Sequence, residues 1–419
     1  MATQQQIQLF QLLTVLALRK QVKHRHYLTR PDLTDSKQSA WTKLYSQKND
    51  DTFIHVMGLD VASFEHLVRA IDRHLQRRQN RVAAAANNNH SNNADERHID
   101  GNNIENKYAE DSGSCGATRR ERNSLHRNNN PYPPLSVQSK NKGGRPSSLD
   151  NKANLALLLY HLHSKTAQKE LCQIFGIVEH TCSTTISRML PLLLEVLIRE
   201  PDARIQWPTA SECKEFAEQI AALNPDLPDP IFGFMDGVFF PNDNHPDPTI
   251  QNAYYNGWKS STSVTNALVF TPDGCICWAA INRPGSWHDA KVVLPLYRLL
   301  KNDTPAGFKL IADAAFQAEP NHILTPFKKG QFSSDLTIAY LQLEQHYNVV
   351  SARQPAEWGM RSVQADFPRL KLPLAASNFE YNRVLIACCF RLYNYRTRRL
   401  RDLNQIKTVF SSDYLAPFV

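Results

Sequence analysis

The chain has 419 residues, enough for two or three domains and at least one large hydrophobic core. With 42% hydrophobic and 21% charged residues, its composition excludes wholesale disorder, a collagen helix and a coiled coil as descriptions of the whole chain. Lys and Arg outnumber Asp and Glu by 48 to 40, and this net charge of +8 favours a polyanionic partner.

The eight cysteines include no Cys-x-x-Cys pair, so we interpret them as reduced thiols of an intracellular protein, with Cys275 and Cys277 in its core. The apolar run at residues 9–18 has no basic segment before it, unlike a signal peptide. No stretch of 18 or more apolar residues occurs, so we expect no membrane-spanning segment.

Residues 1–80 are predicted to form a helical region, because apolar residues recur at helical spacing in residues 5–20 and 60–77. Asp60 or Ser63 is the expected N-cap of the second helix. Residues 81–144 are rich in Asn, Ser and Arg and poor in large aliphatic residues, which predicts a disordered linker.

Residues 145–200 show the pattern of a helix-turn-helix DNA-binding region. Helices are predicted over residues 151–163, 167–175 and 179–190, with Thr166 capping the second and Gly176 ending it. A plain helical bundle is the alternative. If the third helix enters the major groove, these polar side chains are expected to reach base edges: Thr181, Ser183, Thr184, Ser187 and Arg188.

Residues 225–403 predict an α/β domain. Strands are expected at residues 231–240, 263–270, 275–281, 308–313 and 348–351, with a hairpin turn at 271–274, and helices at 286–300, 334–346, 356–369 and 379–403. An antiparallel meander followed by a helix and a parallel strand is typical of a ribonuclease-H-like mixed sheet flanked by helices.

Three acids in this domain are candidates for metal ligands. Asp236 lies inside an apolar strand, where a carboxylate is costly unless it is paired, protonated or bound to metal. Asp313 ends a second apolar strand, and Glu357 opens a helix, where it either completes the site or only compensates the helix dipole. Three carboxylates are the ligands that Mg²⁺ or Mn²⁺ needs for in-line phosphoryl displacement.

Six short blocks between residues 150 and 400 resemble the DDE endonuclease domain of PIF/Harbinger transposases and their domesticated relatives. They are Gly-Phe-Met-Asp-Gly at 233–237, Tyr-Asn-Gly-Trp-Lys at 255–259, Asn-Arg-Pro-Gly-Ser-Trp-His-Asp-Ala at 282–290, Ala-Asp-Ala-Ala-Phe at 312–316, Thr-Pro-Phe-Lys-Lys at 325–329 and Ala-Glu-Trp-Gly at 356–359.

The resemblance implies a divalent-metal-dependent nuclease that hydrolyses phosphodiesters of double-stranded DNA and joins DNA strands, with Asp236, Asp313 and Glu357 as catalytic metal ligands. It also implies a Myb-like accessory protein and nuclear delivery, and we expect a homo-oligomer in the nucleus. His288 and Asp289 match a further block of the family. His288 either orients a phosphate or water or is structural, and Asp289 is a helix cap or a fourth ligand.

Basic residues outside the helix-turn-helix suggest a DNA track. Lys259 and Arg283 are expected to hold backbone phosphates, unless they only form a solvated basic face. A cluster at the C-terminal end of the domain extends the expected track: Arg396, Arg398, Arg399 and Arg401.

Two other functions remain open at this point. A domesticated, catalytically inactive DNA-binding derivative keeps the fold without turnover, although the three acids are intact. An RNA-directed ribonuclease-H-type hydrolase would have the same sheet and the same acids, but it would not need the predicted helix-turn-helix.

Overall fold

The computed structural model describes residues 28–91, 149–316, 321–328, 330–400 and 403–411. The chain divides into two compact units: Met1–Glu65 together with Ser147–Val419, and His66–Pro146. The helix predicted at residues 5–20, most of the predicted linker, and Cys115, Lys329 and Arg401 lie outside the described residues.

Three helices precede the predicted linker: α1 (Ala40–Gln47), α2 (Asp50–Met57) and α3 (Val61–Ser91). The Asp60 carboxylate accepts a hydrogen bond from the Ser63 N–H at 3.1 Å, so Asp60 is the N-cap of α3, one of the two residues predicted for it. Helix α3 extends through Ser91 and so includes residues 81–91 of the segment predicted as a linker. Four alanines at 83–86, the best helix formers, favour this extension.

The segment predicted as a helix-turn-helix contains α4 (Asn151–Leu162), α5 (Gln168–Phe175) and α6 (Glu179–Arg199). Gly176 ends α5 in the left-handed conformation with φ 65°, as predicted. The prediction of Thr166 as a cap is wrong, because Ala167 is the N-cap of α5 and makes no side-chain bond. Helix α6 continues past Pro191, since the apolar residues that follow are buried.

Helix α6 is the one described helix that is long and apolar enough to cross a membrane. The buried core helix of a soluble protein meets the same criterion. Much of its apolar surface is covered here, since α6 packs mainly against α4, α5 and the long helix near the C-terminus.

Helix α7 spans Ala210–Leu223, and helix α8 spans Pro248–Tyr254. The strands that follow α7 form an open mixed sheet, which is compatible with a nuclease fold. Its strands are β1 (Ile231–Pro241), β2 (Tyr255–Asn256), β3 (Ser261–Phe270), β4 (Ile276–Pro284), β5 (Lys309–Ala312) and β6 (Ile323–Leu324). The order across the sheet is β4-β3-β1-β5-β6, and β2 also pairs with β3. Strands β1, β3 and β4 are antiparallel, whereas β5 is parallel to β1, as predicted.

Helices cover both faces of the sheet. They are α9 (Asp289–Val292), α10 (Leu294–Asn302), α11 (Leu336–Ala352), α12 (Gln354–Asp366), α13 (Phe379–Arg399) and α14 (Gln405–Val409). Met235 and Phe232 share one core cluster with α9 and α10. On the other face, Phe240 contacts Phe390 of α13 and Phe270 contacts Tyr393.

Two predicted elements differ in the structure. The strand prediction at 348–351 is wrong, because these residues are the last turns of α11, in which Val349 and Ala352 are buried. The helix predicted at 286–300 begins only at Asp289 and breaks before Leu294, where Pro295 opens a second helix.

The C-terminal arginines make contacts within the fold. Arg396 pairs with Asp366, and both side chains are largely buried. Arg398 donates to the Asp202 carbonyl at 2.8 Å, and Arg399 pairs with the Asp202 carboxylate at 3.0 Å. These three arginines therefore already have partners within the fold, and their part in a DNA track stays a prediction.

The described cysteines are all free and buried, which fits their interpretation as thiols. Burial raises the pKa of Cys182 to about 12 and keeps the pKa of Cys275 and Cys277 well above the ordinary thiol value. As predicted, Cys275 and Cys277 are core residues.

Candidate active site

Two aspartates lie side by side at the centre of the sheet. Met235 of β1 pairs with Ala312 of β5 in parallel register, so the next residues, Asp236 and Asp313, lie at the same level on neighbouring strands. Oδ1 of Asp236 accepts the Gly237 N–H at 2.7 Å, and Oδ1 of Asp313 accepts the Ala314 N–H at 2.6 Å. These matched bonds hold both carboxylates, while Oδ2 of each has no hydrogen bond within the described part of the chain.

The electrostatics of Asp236 connect all three predicted acids. The pKa of Asp236 is raised to about 6, and burial is the largest cause. The Gly237 N–H and the Arg353 guanidinium lower this pKa, and the negative charges of Asp313 and Glu357 raise it. The charges of Asp313 and Glu357 therefore both act on Asp236.

Glu357 pairs with two arginines of its own helix region. It lies in the first turn of α12, where its Oε1 is 2.9 Å from Nη2 of Arg353 and its Oε2 is 3.7 Å from Nη2 of Arg361. The Arg353 side chain is 19% exposed and that of Glu357 is 41% exposed, so the first of these pairs is only partly shielded from solvent. The sequence signal for this arrangement is two arginines spaced four residues before and after the glutamate.

The donor chemistry of the site suits a hard divalent cation. Carboxylate oxygens are the ligands that Mg²⁺ and Mn²⁺ prefer, and a bound cation would relieve the repulsion that raises the pKa of Asp236. Within the described residues, no group of three or more His, Cys, Asp or Glu side chains is close enough to hold a metal.

Asp289 approaches β1 from the opposite face. Its Oδ1 would lie 3.7 Å from a Cβ atom built on Gly237, the residue after Asp236. Burial raises the pKa of Asp289, Asp313 raises it further, and His288 and Lys259 lower it. The cap interpretation of Asp289 is wrong, because His288 is the N-cap of α9 and its Nδ1 accepts the Ala290 N–H at 3.3 Å.

The turn between β2 and β3 places a cation and an aromatic ring beside the acids. Asn256 Oδ1 accepts the N–H groups of Trp258 and Lys259, both at 3.1 Å, which fixes the turn. Lys259 Nζ is 3.5 Å from the ring centroid of Phe239. Burial lowers the pKa of Lys259, while Asp289 and Asp236 raise it, so the ammonium lies within electrostatic range of both carboxylates.

Trp258 is a candidate that sequence reasoning missed. Its side chain is 99% exposed at the end of the turn, next to Lys259. The only sequence signal is a large aromatic residue directly after Gly257 in a segment of turn residues.

The other predicted DNA contacts lie elsewhere in the fold. Arg283 is half-buried on β4, opposite Thr265, and its Nε has no hydrogen-bond partner within the described residues. The helix-turn-helix candidates lie on α6, which packs mainly against helices rather than the strands that carry the aspartates. Of these, two are exposed and three half-buried: Ser183 and Arg188, then Thr181, Thr184 and Ser187.

Comparison with known families supports the DDE superfamily. The family model described as DDE superfamily endonuclease matches residues 235–394, a segment that contains Asp236, Asp313 and Glu357. Searches of curated proteins and of solved structures gave no significant match. The matched segment begins one residue before Asp236 and ends within α13, so it covers the sheet and the helices around the acids.

The raised pKa of Asp236 predicts a pH-dependent stability. Folding takes up a proton between pH about 4 and 6, so the stability of the metal-free protein falls as pH rises through this window. Asp236→Asn removes this titration. We therefore expect its free energy of unfolding, relative to that of wild type, to be about 2–3 kcal/mol higher at pH 7 than at pH 4, because one pKa unit corresponds to ~1.4 kcal/mol. Urea denaturation in the presence of a chelator measures this difference.

Asp303→Asn, which changes an exposed acid at the end of α10, is the matched control. Because this variant retains Asp236, its stability relative to wild type should be the same at pH 4 and pH 7. A stability difference between wild type and Asp236→Asn that is the same at pH 4 and pH 7 would contradict the assignment of a raised pKa to Asp236.

Proposed function

We propose that this protein is a divalent-metal-dependent DNA endonuclease and transposase of the PIF/Harbinger type, with a ribonuclease-H-like catalytic domain. The observation that carries the proposal is the pairing of Asp236 and Asp313 at one level of two parallel strands, inside the segment that matches the DDE endonucleases. The strand order β4-β3-β1-β5-β6 supports this fold assignment.

In this proposal, Asp236 and Asp313 hold Mg²⁺ or Mn²⁺, and Glu357 is the third carboxylate. The cations supply charge neutralisation at the phosphorus and activation of the attacking hydroxyl. The Gly237 and Ala314 N–H groups orient the two aspartates before substrate binds. Arg353 positions Glu357 and partly offsets the negative charge around Asp236.

The DNA contacts follow from the surroundings of the acids. Lys259 is close enough to Asp236 and Asp289 to neutralise a phosphate next to the scissile bond. Trp258 offers an exposed ring surface beside Lys259, of the kind on which an unpaired base stacks. The polar face of α6 and Arg283 add contacts to double-stranded DNA. We further propose nuclear location, a homo-oligomer and a Myb-like accessory protein.

One observation favours a second candidate, an inactive DNA-binding derivative. Glu357 pairs with Arg353 and Arg361, and no group of three acids close enough to hold a metal is present within the described residues. This arrangement would persist in a protein that no longer takes up metal. The two candidates share the fold and the DNA surface. They differ in whether Glu357 exchanges its arginine partners for metal when DNA and cation are present.

A cleavage assay with the full chain separates these functions. Labelled duplex DNA, an RNA–DNA hybrid and supercoiled plasmid are incubated with the protein and Mg²⁺ or Mn²⁺, with a chelator as the control. We expect metal-dependent cleavage of duplex DNA and nicking of the plasmid. Preferential cleavage of the RNA strand would instead establish a ribonuclease-H-type hydrolase. DNA binding without cleavage would establish the inactive derivative.

A further inference from the structure

Helix α11 carries an apolar stripe that is exposed among the residues that the structure describes. Five large apolar residues follow one another at intervals of four, three, four and three positions, the spacing of a coiled-coil seam. Their exposed fractions run from 87% at the first residue to 37% at the last: Leu336, Tyr340, Leu343, Tyr347 and Val350. We call these five residues the α11 seam.

The α11 seam faces away from the protein core. Val349 and Ala352 are the buried residues of the helix, and each follows a seam residue by two positions, about 200° around the helix axis. The helix therefore packs on its own domain near its C-terminal end, through Val349 and Ala352, and the α11 seam lies on the opposite side. Within the described residues, the seam is not needed for that packing.

Charge argues against DNA as the occupant of the α11 seam. Glu344 is the one Asp, Glu, Lys or Arg residue in α11, so the helix has no cation for a phosphate. The occupant is an apolar surface of matching shape.

The order of side chains in the α11 seam fits a second copy of the same helix. Aliphatic and aromatic residues alternate along the seam. In an antiparallel pair, Leu336 faces Tyr347 of the second copy and Tyr340 faces Leu343, so each of these four layers joins one large ring to one smaller side chain. Val350 lies beyond the last of these layers. A parallel pair would place rings against rings and leucines against leucines.

We propose that the α11 seam is a homodimer interface in which two copies of α11 pack antiparallel about a twofold axis. Such a contact is isologous and closes on itself, which limits the assembly to two copies. The seam exposes roughly 600 Å² per copy, most of the ~800 Å² that each partner buries in a standard interface. In this register Glu344 faces Ala339 of the second copy, so the two carboxylates do not oppose each other.

Sedimentation velocity of the full chain, in chelator and without DNA, tests the interface independently of the nuclease proposal. We expect wild type to dimerise at micromolar concentration and Leu343→Lys to weaken the dimer at least tenfold. Leu341→Lys is the matched control, since Leu341 is 59% exposed on the same helix but lies off the seam, and its dimerisation should equal that of wild type. Circular dichroism checks that both variants keep their helices.

A mixing experiment tests the register. Because Leu343 of one copy faces Tyr340 of the other, Leu343→Lys mixed with Tyr340→Glu should form a heterodimer, although each variant alone is monomeric. A wild-type monomer, a dimer unaffected by Leu343→Lys, or an equal loss in Leu341→Lys would overturn the interface. Failure of the mixture to associate would overturn the antiparallel register. Loss of DNA cleavage with the dimer intact would count against the nuclease proposal alone.

Discussion

Asp236→Asn is expected to reduce metal-dependent DNA cleavage by at least ~1,000-fold, a loss of ~4 kcal/mol of transition-state stabilisation. The amide has nearly the same shape as the carboxylate and still accepts the Gly237 N–H, so the fold is retained. What disappears is the charge that holds the cation. Gel-based cleavage of duplex DNA, with stability followed in parallel, measures the effect.

The same loss is expected for Asp313→Asn and Glu357→Gln, the other two proposed ligands. Asp303→Asn changes an exposed acid of α10 and should cleave DNA at the wild-type rate. Cleavage retained by Asp236→Asn, Asp313→Asn or Glu357→Gln would remove the altered residue from the proposed metal site.

Gly359→Ala is expected to destabilise the protein and to reduce cleavage beyond the loss of folded protein. A Cβ atom at this position would lie 2.7 Å from Cε2 and Cζ of the Phe270 ring. That ring is fully buried and packed against Tyr393, so it cannot move aside. Helix α12 must shift instead, and it carries Glu357 with it. Overpacking of this kind costs ~1–3 kcal/mol, which offsets the ~1 kcal/mol by which alanine favours a helix.

Urea denaturation and cleavage under fully folding conditions measure the two effects of Gly359→Ala. Gly257→Ala is the control for stability, because a Cβ atom there would meet nothing within 4 Å. The control should remain within about 0.5 kcal/mol of wild type. A Gly359→Ala protein as stable and as active as wild type would contradict the close approach of α12 to β3.

The central sheet was predictable because its strands are defined by local signals. The run of apolar residues around Asp236 and the hairpin turn that ends at Gly274 both follow from residue type and spacing. The adjacency of Asp236 and Asp313 follows from the parallel register, which a strand–helix–strand connection favours.

Other features depend on tertiary contacts that spacing does not reveal. Residues 348–351 resemble a short strand, yet they continue α11 because Val349 and Ala352 pack on the domain. The arginines near the C-terminus suggest a DNA track when only the sequence is considered. In the structure Arg396 pairs with Asp366 and Arg399 pairs with Asp202, and both aspartates are distant in sequence. The ion pair between Glu357 and Arg353 depends on the orientation of these side chains at the start of α12.

The most direct test of the central claim is calorimetric titration of Mn²⁺ into the full chain, comparing wild type with Asp236→Asn. The proposed metal-dependent nuclease requires that wild type bind the ion and that the variant bind it at least tenfold more weakly. Equal affinity in the two proteins, or no binding in either, would contradict a metal site at Asp236.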